Sequence, residues 1–104
     1  MKAAGKDKPD IRQGKPAAFS ALVKGRVQGV GFRYSAAREA LRLGICGWVR
    51  NNYSGDVEVW AEGQPEKLEL FLKWLCRGPQ LSRVDSIDKD DTEPRGYNGF
   101  DVKP

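Results

Sequence analysis

Histidine is absent from the 104 residues. That removes the side chain most suited to acting as a general base near neutral pH, and the commonest metal ligand as well. Cysteine is scarce: Cys46 and Cys76 are far apart, form no Cys-x-x-Cys pair and have no histidine to join them in a zinc site. Each reads as a small buried hydrophobe in a reducing compartment, with a disulfide between them left open. No apolar stretch approaches bilayer-spanning length, and the charged N-terminus lacks the apolar core of a signal peptide. A soluble cytoplasmic chain with no membrane partner is expected. No internal repeat is visible. The glycines match neither Gly-x-x-x-x-Gly-Lys-Ser/Thr nor Gly-x-Gly-x-x-Gly, so neither common nucleotide-binding loop is present.

What remains is enough for one domain with a single modest core. Charge is unevenly spread. Residues 1–16 hold Lys2, Lys6, Lys8, Arg12 and Lys15 against Asp7 and Asp10, so this leader carries most of the chain's net +4. With Gly5, Pro9, Gly14 and Pro16 and little apolar content, residues 1–16 are expected to form a disordered basic leader to a domain spanning 17–104. A basic tail on a nearly neutral domain is weak support for nucleic-acid binding, and no nucleic-acid partner is expected.

Hydrophobic periodicity orders the domain. Ala17 to Lys24 reads as a strand, and Arg33 to Leu43 as a helix with Ala36, Ala37, Ala40, Leu41 and Gly44 on one face, Gly44 standing where a C-terminal cap belongs. Ile45 to Asn51 is a second strand. After a hairpin-type connection, Asn52 to Asp56, Val57, Val59 and Ala61 alternate with Glu58, Trp60 and Glu62 in a third. Pro65 opens a second helix with Leu68, Phe71, Leu72 and Leu75 at i, i+3, i+4, i+7 spacing, and Gly78-Pro79 ends it. Arg83 to Lys89 is a poorer strand in which a bulge or edge position is expected. Phe100 and Val102 belong to a short last strand. The order predicts an α+β, ferredoxin-like split βαβ sandwich (βαββαβ): one antiparallel sheet with two helices on one face. The other face, with Glu58, Trp60 and Glu62, is expected to be largely open to solvent.

Two stretches carry chemistry. In the first, the apolar run Phe19 to Val23 gives way to Lys24-Gly25-Arg26-Val27-Gln28-Gly29-Val30-Gly31-Phe32-Arg33, a glycine-rich turn opening a helix. Glycines permit positive φ, so backbone amides can converge on one point, and a helix start adds unsatisfied donors and the positive end of its dipole. A phosphate-sized anion suits such a turn. The guanidinium of Arg33 matches phosphate oxygens. A turn required only for backbone geometry, with Arg33 solvated, fits the loop equally well. The second stretch is Gly47-Trp48-Val49-Arg50-Asn51-Asn52-Tyr53-Ser54-Gly55-Asp56-Val57. In a split βαβ fold it can lie beside the first loop, where the Asn51 amide could both donate to and accept from a water molecule. Alternatively, Asn51 and Asn52 only begin the hairpin turn.

Taken together, Gly25-Arg26-Val27-Gln28-Gly29-Val30-Gly31-Phe32-Arg33 and Gly47-Trp48-Val49-Arg50-Asn51 with Gly55-x-Val57 strongly resemble the acylphosphatase family over about residues 18 to 103. The resemblance implies metal-independent hydrolysis of the carboxyl–phosphate bond of acyl phosphates, without a covalent intermediate or cofactor. It implies that Arg33 and the backbone amides of Gln28, Gly29, Val30, Gly31 and Phe32 hold the phosphoryl group, and that Asn51 positions the attacking water. The implied partners are a small acyl phosphate, with inorganic phosphate or sulfate as product or inhibitor, and the protein is expected to be a monomer. One departure concerns the C-terminus. Some members end in an aromatic residue whose carboxylate lies near the active-site arginine, whereas this chain ends Val102-Lys103-Pro104, which puts that contact in doubt.

Two other readings compete. An RNA-recognition domain shares the element order, but here Trp60 is flanked on its face by Glu58 and Glu62, and the Lys/Arg-Gly-Phe/Tyr-Gly/Ala-Phe core is missing. A non-catalytic acyl- or carbamoyl-phosphate-binding module, such as the one inside larger hydrogenase-maturation proteins, keeps the loop without turnover. The presence of Asn51 as well as Arg33 favours turnover.

Overall fold

The alternating and helical patterns become seven elements in the structure, a computed structural model that describes residues 15–104. These are β1 (Ala17–Arg26), α1 (Phe32–Leu43), β2 (Cys46–Asn51), β3 (Val57–Gly63), α2 (Pro65–Arg77), β4 (Arg83–Thr92) and β5 (Phe100–Val102). The expected basic leader, apart from Lys15 and Pro16, lies outside the described residues. The sheet order is β4-β1-β3-β2-β5. The four longer strands pair antiparallel, as a split βαβ arrangement requires. The short β5 runs parallel to β2, making the sheet mixed where an all-antiparallel one was expected.

This topology positions the site. β1 and β2 both run antiparallel to β3, so they are parallel to one another and their C-terminal ends reach the same end of the sheet. Val57 marks that end, opposite Val23 of β1 and Asn51 of β2. With strands spaced about 4.8 Å apart, the loop leaving β1 and the end of β2 stand roughly 10 Å apart. Because β5 runs parallel to β2, Lys103 arrives at the same place.

Phe32, Ala36, Ala40 and Leu43 of α1, with Leu68, Phe71 and Leu75 of α2, pack on Phe19, Val23, Val49, Val57, Val59 and Ala61 of the sheet. Each large apolar side chain buried in this way contributes about 1.5–3 kcal/mol. Leu41 departs from expectation: it is exposed, and Leu43 fills the core. The buried stripe of α1 advances by four, four and three residues, and Leu41, one step past Ala40, rotates off it. Leu72 is only partly buried. Both helices end as expected, with Gly44 at φ 73° donating to Ala40 and Leu41 carbonyls, and Gly78 donating to Trp74. Cysteine behaves differently from expectation. Both thiols are free, Cys46 is only partly buried and Cys76 is exposed.

β4 is an edge strand with the expected irregularity: pairing steps from Lys24–Ser86 to Gly25–Val84, leaving Asp85 unopposed. Gly25 therefore lies inside β1 rather than in the loop, and its glycine is demanded by β4. Its φ is 137°, and a Cβ there would sit 2.1 Å from the Arg83 carbonyl oxygen. The second sheet face is also more covered than expected. Trp60 and Glu62 are buried, because the backbone amides of Arg95, Gly96 and Tyr97 fold over them onto the Glu62 carboxylate. Among the described residues no helix is long and apolar enough to cross a membrane.

Candidate active site

The loop after β1 is strung between two buried anchors, Val27 and Phe32, with Gly29 and Gly31 exposed between them. Gly29 (φ 74°) and Gly31 (φ 77°) adopt the left-handed conformation that a side chain disfavours, and Gly31 is the N-cap of α1. Among the described residues, no turn or loop hydrogen bond takes up the backbone amides of Gln28, Gly29, Val30, Gly31 or Phe32. The first turn of α1 has no side-chain cap and no acidic residue. Donors and the positive end of a twelve-residue helix thus stand together where none of the described residues answers them. A Cβ built on Gly29 or Gly31 would meet no atom within 4 Å, so the cradle faces open space.

Arg33, on the first turn of α1, is partly buried, and its Nη1 donates to the Lys103 main-chain carbonyl at 2.5 Å. The expectation left open a contact between this arginine and the C-terminal segment. The structure supplies one through a backbone carbonyl of β5's continuation. Lys103 is itself fixed, its amide donating to Val49 at 2.8 Å and its ammonium lying 4.9 Å from the centre of the Trp48 ring. A carbonyl orients the guanidinium without neutralising it, so the positive charge is retained for an anion.

The two asparagines after Arg50 separate cleanly. Asn52 is the turn residue: its Oδ1 accepts from the amides of Ser54 and Asp56, both at 3.0 Å. Asn51 makes no such bond, and its Oδ1 is buried with no hydrogen-bond partner. A buried amide oxygen without a partner is costly, so the Asn51 side chain, unlike that of Asn52, is not one the hairpin turn uses. Gln28 ties this strand end to the loop, its Nε2 donating to the carbonyls of Asn52 at 2.9 Å and Asp56 at 2.8 Å. The predicted loop residues, Arg33 and Asn51 are therefore brought to one end of the sheet. No group of three or more His, Cys, Asp or Glu suited to a metal ion occurs among the described residues.

Sequence reasoning treated Gln28 only as a backbone donor and missed its side-chain bridge. A long amide in a glycine-rich turn, where nothing apolar needs it, was the available signal. It also missed the Lys103 carbonyl, for which a backbone group leaves no signal. A groove of about 570 Å³, lined by Arg50, Asn51, Asn52, Tyr53, Glu58 and Pro104, opens beside the strand end.

Comparison with known proteins bears on the fold and the family. The acylphosphatase family model matches residues 19–102. An acylphosphatase of Vibrio vulnificus is 47% identical over 81 residues, covering 78% of this chain and 90% of that protein. The solved structure of an acylphosphatase from Coxiella burnetii superposes with a TM-score of 0.83 at 32% identity, covering 86% of this chain and 95% of the other. Full-length HypF, solved in its phosphate- and nucleotide-bound form, contains a similar unit (TM-score 0.81, 31% identity), covering 86% of this chain and 12% of that one. With the family model spanning nearly the whole domain and the two acylphosphatases matched over 90% and 95% of their length, this chain belongs to the acylphosphatase family.

Proposed function

We propose that the chain hydrolyses the carboxyl–phosphate bond of acyl phosphates, releasing a carboxylate and inorganic phosphate. The phosphoryl oxygens are held by the amides of Gln28, Gly29, Val30, Gly31 and Phe32 and by the Arg33 guanidinium. Asn51 orients water through its amide. The water oxygen forms the new bond to phosphorus while the bond to the acyl oxygen breaks and its electron pair leaves with the carboxylate. A phosphate oxygen of the substrate is the candidate acceptor for the water's proton. A carboxylate is a good leaving group, so no strong acid is required, and positioning with charge stabilisation suffices. One observation carries the reading: the loop amides, left without partners among the described residues, stand at the same end of the sheet as Asn51, whose side chain the turn does not use, and Gln28 ties the two segments together.

Hydrolysis of benzoyl phosphate by the purified chain, followed by its ultraviolet absorbance, tests this. Turnover that persists in EDTA is expected, and the absence of turnover overturns it. Phosphate binding without turnover would favour a non-catalytic acyl- or carbamoyl-phosphate-binding module instead. An RNA-binding role has lost its stacking surface, since Trp60 is buried beneath the 95–97 turn, under the Arg95 guanidinium. The protein is further proposed to act as a cytoplasmic monomer, which fractionation and gel filtration check. A membrane-bound fraction or an obligate dimer would contradict that assignment.

A further inference from the structure

Among the described residues Glu62 is the only charged side chain that is buried, at 5% exposure. It lies on the sheet face away from the helices, and no step proposed above uses it. Its carboxylate accepts from the Trp60 indole at 2.8 Å and from the backbone amides of Arg95 at 2.6 Å, Gly96 at 3.0 Å and Tyr97 at 3.1 Å. A buried charge is tolerated only when its lone pairs are met in this way. What the four donors gain in return is a fixed seat for the 95–97 turn, which belongs to no strand.

From that seat a continuous path leads to Arg33. The Trp48 indole donates to the Tyr97 hydroxyl at 3.3 Å, and the Gly47 amide donates to the Gly99 carbonyl at 2.8 Å. Phe100–Val102 then pairs with Gly47–Val49. Lys103, next in line, packs over Trp48 and presents its carbonyl to Arg33. β5 is only three residues long: Phe100 anchors it in the core, while Gly96 and Gly99 before it both take positive φ, so the path by which the chain enters it is set by the segment before it. We infer that Glu62 is a positioning residue for Arg33: by seating the 95–97 turn it sets where β5 runs, and so where the Lys103 carbonyl holds the guanidinium. The inference rests on Arg33 being the phosphoryl-binding arginine.

Glu62→Gln keeps the size but turns an acceptor toward donors. Of the two carboxylate oxygens, one meets Gly96 and Tyr97 and the other meets Trp60 and Arg95, so the amide nitrogen leaves one pair unanswered. A brace for stability alone would lower the melting temperature and leave anion binding untouched. The test is a phosphorus-NMR titration of the full chain with inorganic phosphate, for wild type, Glu62→Gln, Arg33→Ala and the double variant. The folded Glu62→Gln protein should bind phosphate roughly three- to tenfold more weakly, the worth of one hydrogen bond. In the Arg33→Ala background the same change should do nothing more. Unchanged affinity in the folded variant, or an equal loss without Arg33, overturns the inference. Should Glu62→Gln fail to fold, Trp48→Ala breaks the same path beyond the carboxylate, and the same pair of outcomes decides. A wild-type chain that binds no phosphate removes the cradle and this inference together. One that binds phosphate but leaves benzoyl phosphate intact removes only the hydrolase reading.

Discussion

Gln28 joins the two halves of the site, and its replacement gives a prediction with a magnitude that the geometry sets. Its Nε2 holds the carbonyls of Asn52 and Asp56, so the loop after β1 and the hairpin after β2 move as one body. Both carbonyls have a second donor, Gly55 N on Asn52 at 3.3 Å and Asn52 N on Asp56 at 3.0 Å. Gln28→Ala therefore leaves neither acceptor bare, and its cost is that of two ordinary hydrogen bonds, about 1–3 kcal/mol in total. In a domain of this size each kcal/mol lowers the melting temperature by roughly 4–8 °C. Turnover should suffer more than stability, because Asn51 is one residue from the freed carbonyl and misplacement by an ångström can cost up to about a hundredfold. We expect kcat for benzoyl phosphate to fall at least about tenfold, with the inhibition constant of phosphate changing less, since the amides and Arg33 remain. Gln28→Glu sharpens the test. The side chain is the same size but sets a carboxylate against two carbonyl oxygens, so it should be worse than alanine in both thermal denaturation and kinetics. If Gln28→Glu melts and turns over like wild type, the bridge does not hold the site and the reasoning fails.

Glycine substitutions should sort by space rather than by φ alone. Gly47→Ala places a Cβ 1.8 Å from the Trp60 carbonyl oxygen and should cost at least about 3 kcal/mol in urea denaturation. Gly29→Ala and Gly31→Ala, with open space, should cost only the left-handed strain of about 1–2 kcal/mol; equal costs at all three positions would contradict this. Stability should also respond to acid through Glu62. Burial alone would raise its pKa, but the Arg95 amide, the Trp60 indole and the amides of Tyr97 and Gly96 outweigh it and hold the carboxyl below its ordinary 4.5. A depressed folded-state pKa gives stability that is complete above the unfolded value and drains away as pH falls through the folded one. Thermal stability should therefore decline below pH 4.5, and Glu62→Gln should flatten that decline. Glu39 and Asp85, drawn low by Arg42 and Arg83, belong to surface ion pairs and should add little. An acid limb of unchanged steepness in Glu62→Gln would refute the assignment. Phosphate and sulfate should inhibit competitively, and purely non-competitive inhibition would place the anion elsewhere.

The parts of this molecule governed by local rules were legible in its sequence. Apolar periodicity, Pro65 at a helix start and Gly44 at a helix end are chain-local signals, and the elements formed within a residue or two of where those signals put them, except β4, which runs three residues past Lys89. The glycine-rich loop and Asn51 were singled out through the family resemblance that the two motifs carry together, since each alone fitted an ordinary turn equally well. What escaped notice depends on partners distant in sequence. Glu62 read as a solvent-facing member of an alternating strand, because nothing in Val57 to Gly63 announces that amides more than thirty residues later will cover it. Gly25 read as a loop glycine, yet it answers to the Arg83 carbonyl across the sheet. The Arg33–Lys103 bond ends on a backbone carbonyl, which no residue type encodes. Asn51 and Asn52 were indistinguishable as neighbours in a turn. Only the three-dimensional arrangement shows that one side chain closes the turn while the other is left unpaired.

That pair of asparagines offers the most direct test of the central claim, that phosphate binding and water positioning are divided between Arg33 and Asn51. The measurement is kcat for benzoyl phosphate together with the phosphate inhibition constant, taken on Arg33→Ala, Asn51→Ala and Asn52→Ala. Arg33→Ala should impair both quantities, because the phosphoryl group is anionic in the ground and transition states alike. Asn51→Ala should lower kcat by about a hundredfold or more, near 3 kcal/mol of transition-state stabilisation, with phosphate affinity nearly intact. Asn52→Ala should lower stability through the lost turn bonds while kcat falls far less. Equal, near-wild-type turnover in the two asparagine variants would contradict the account.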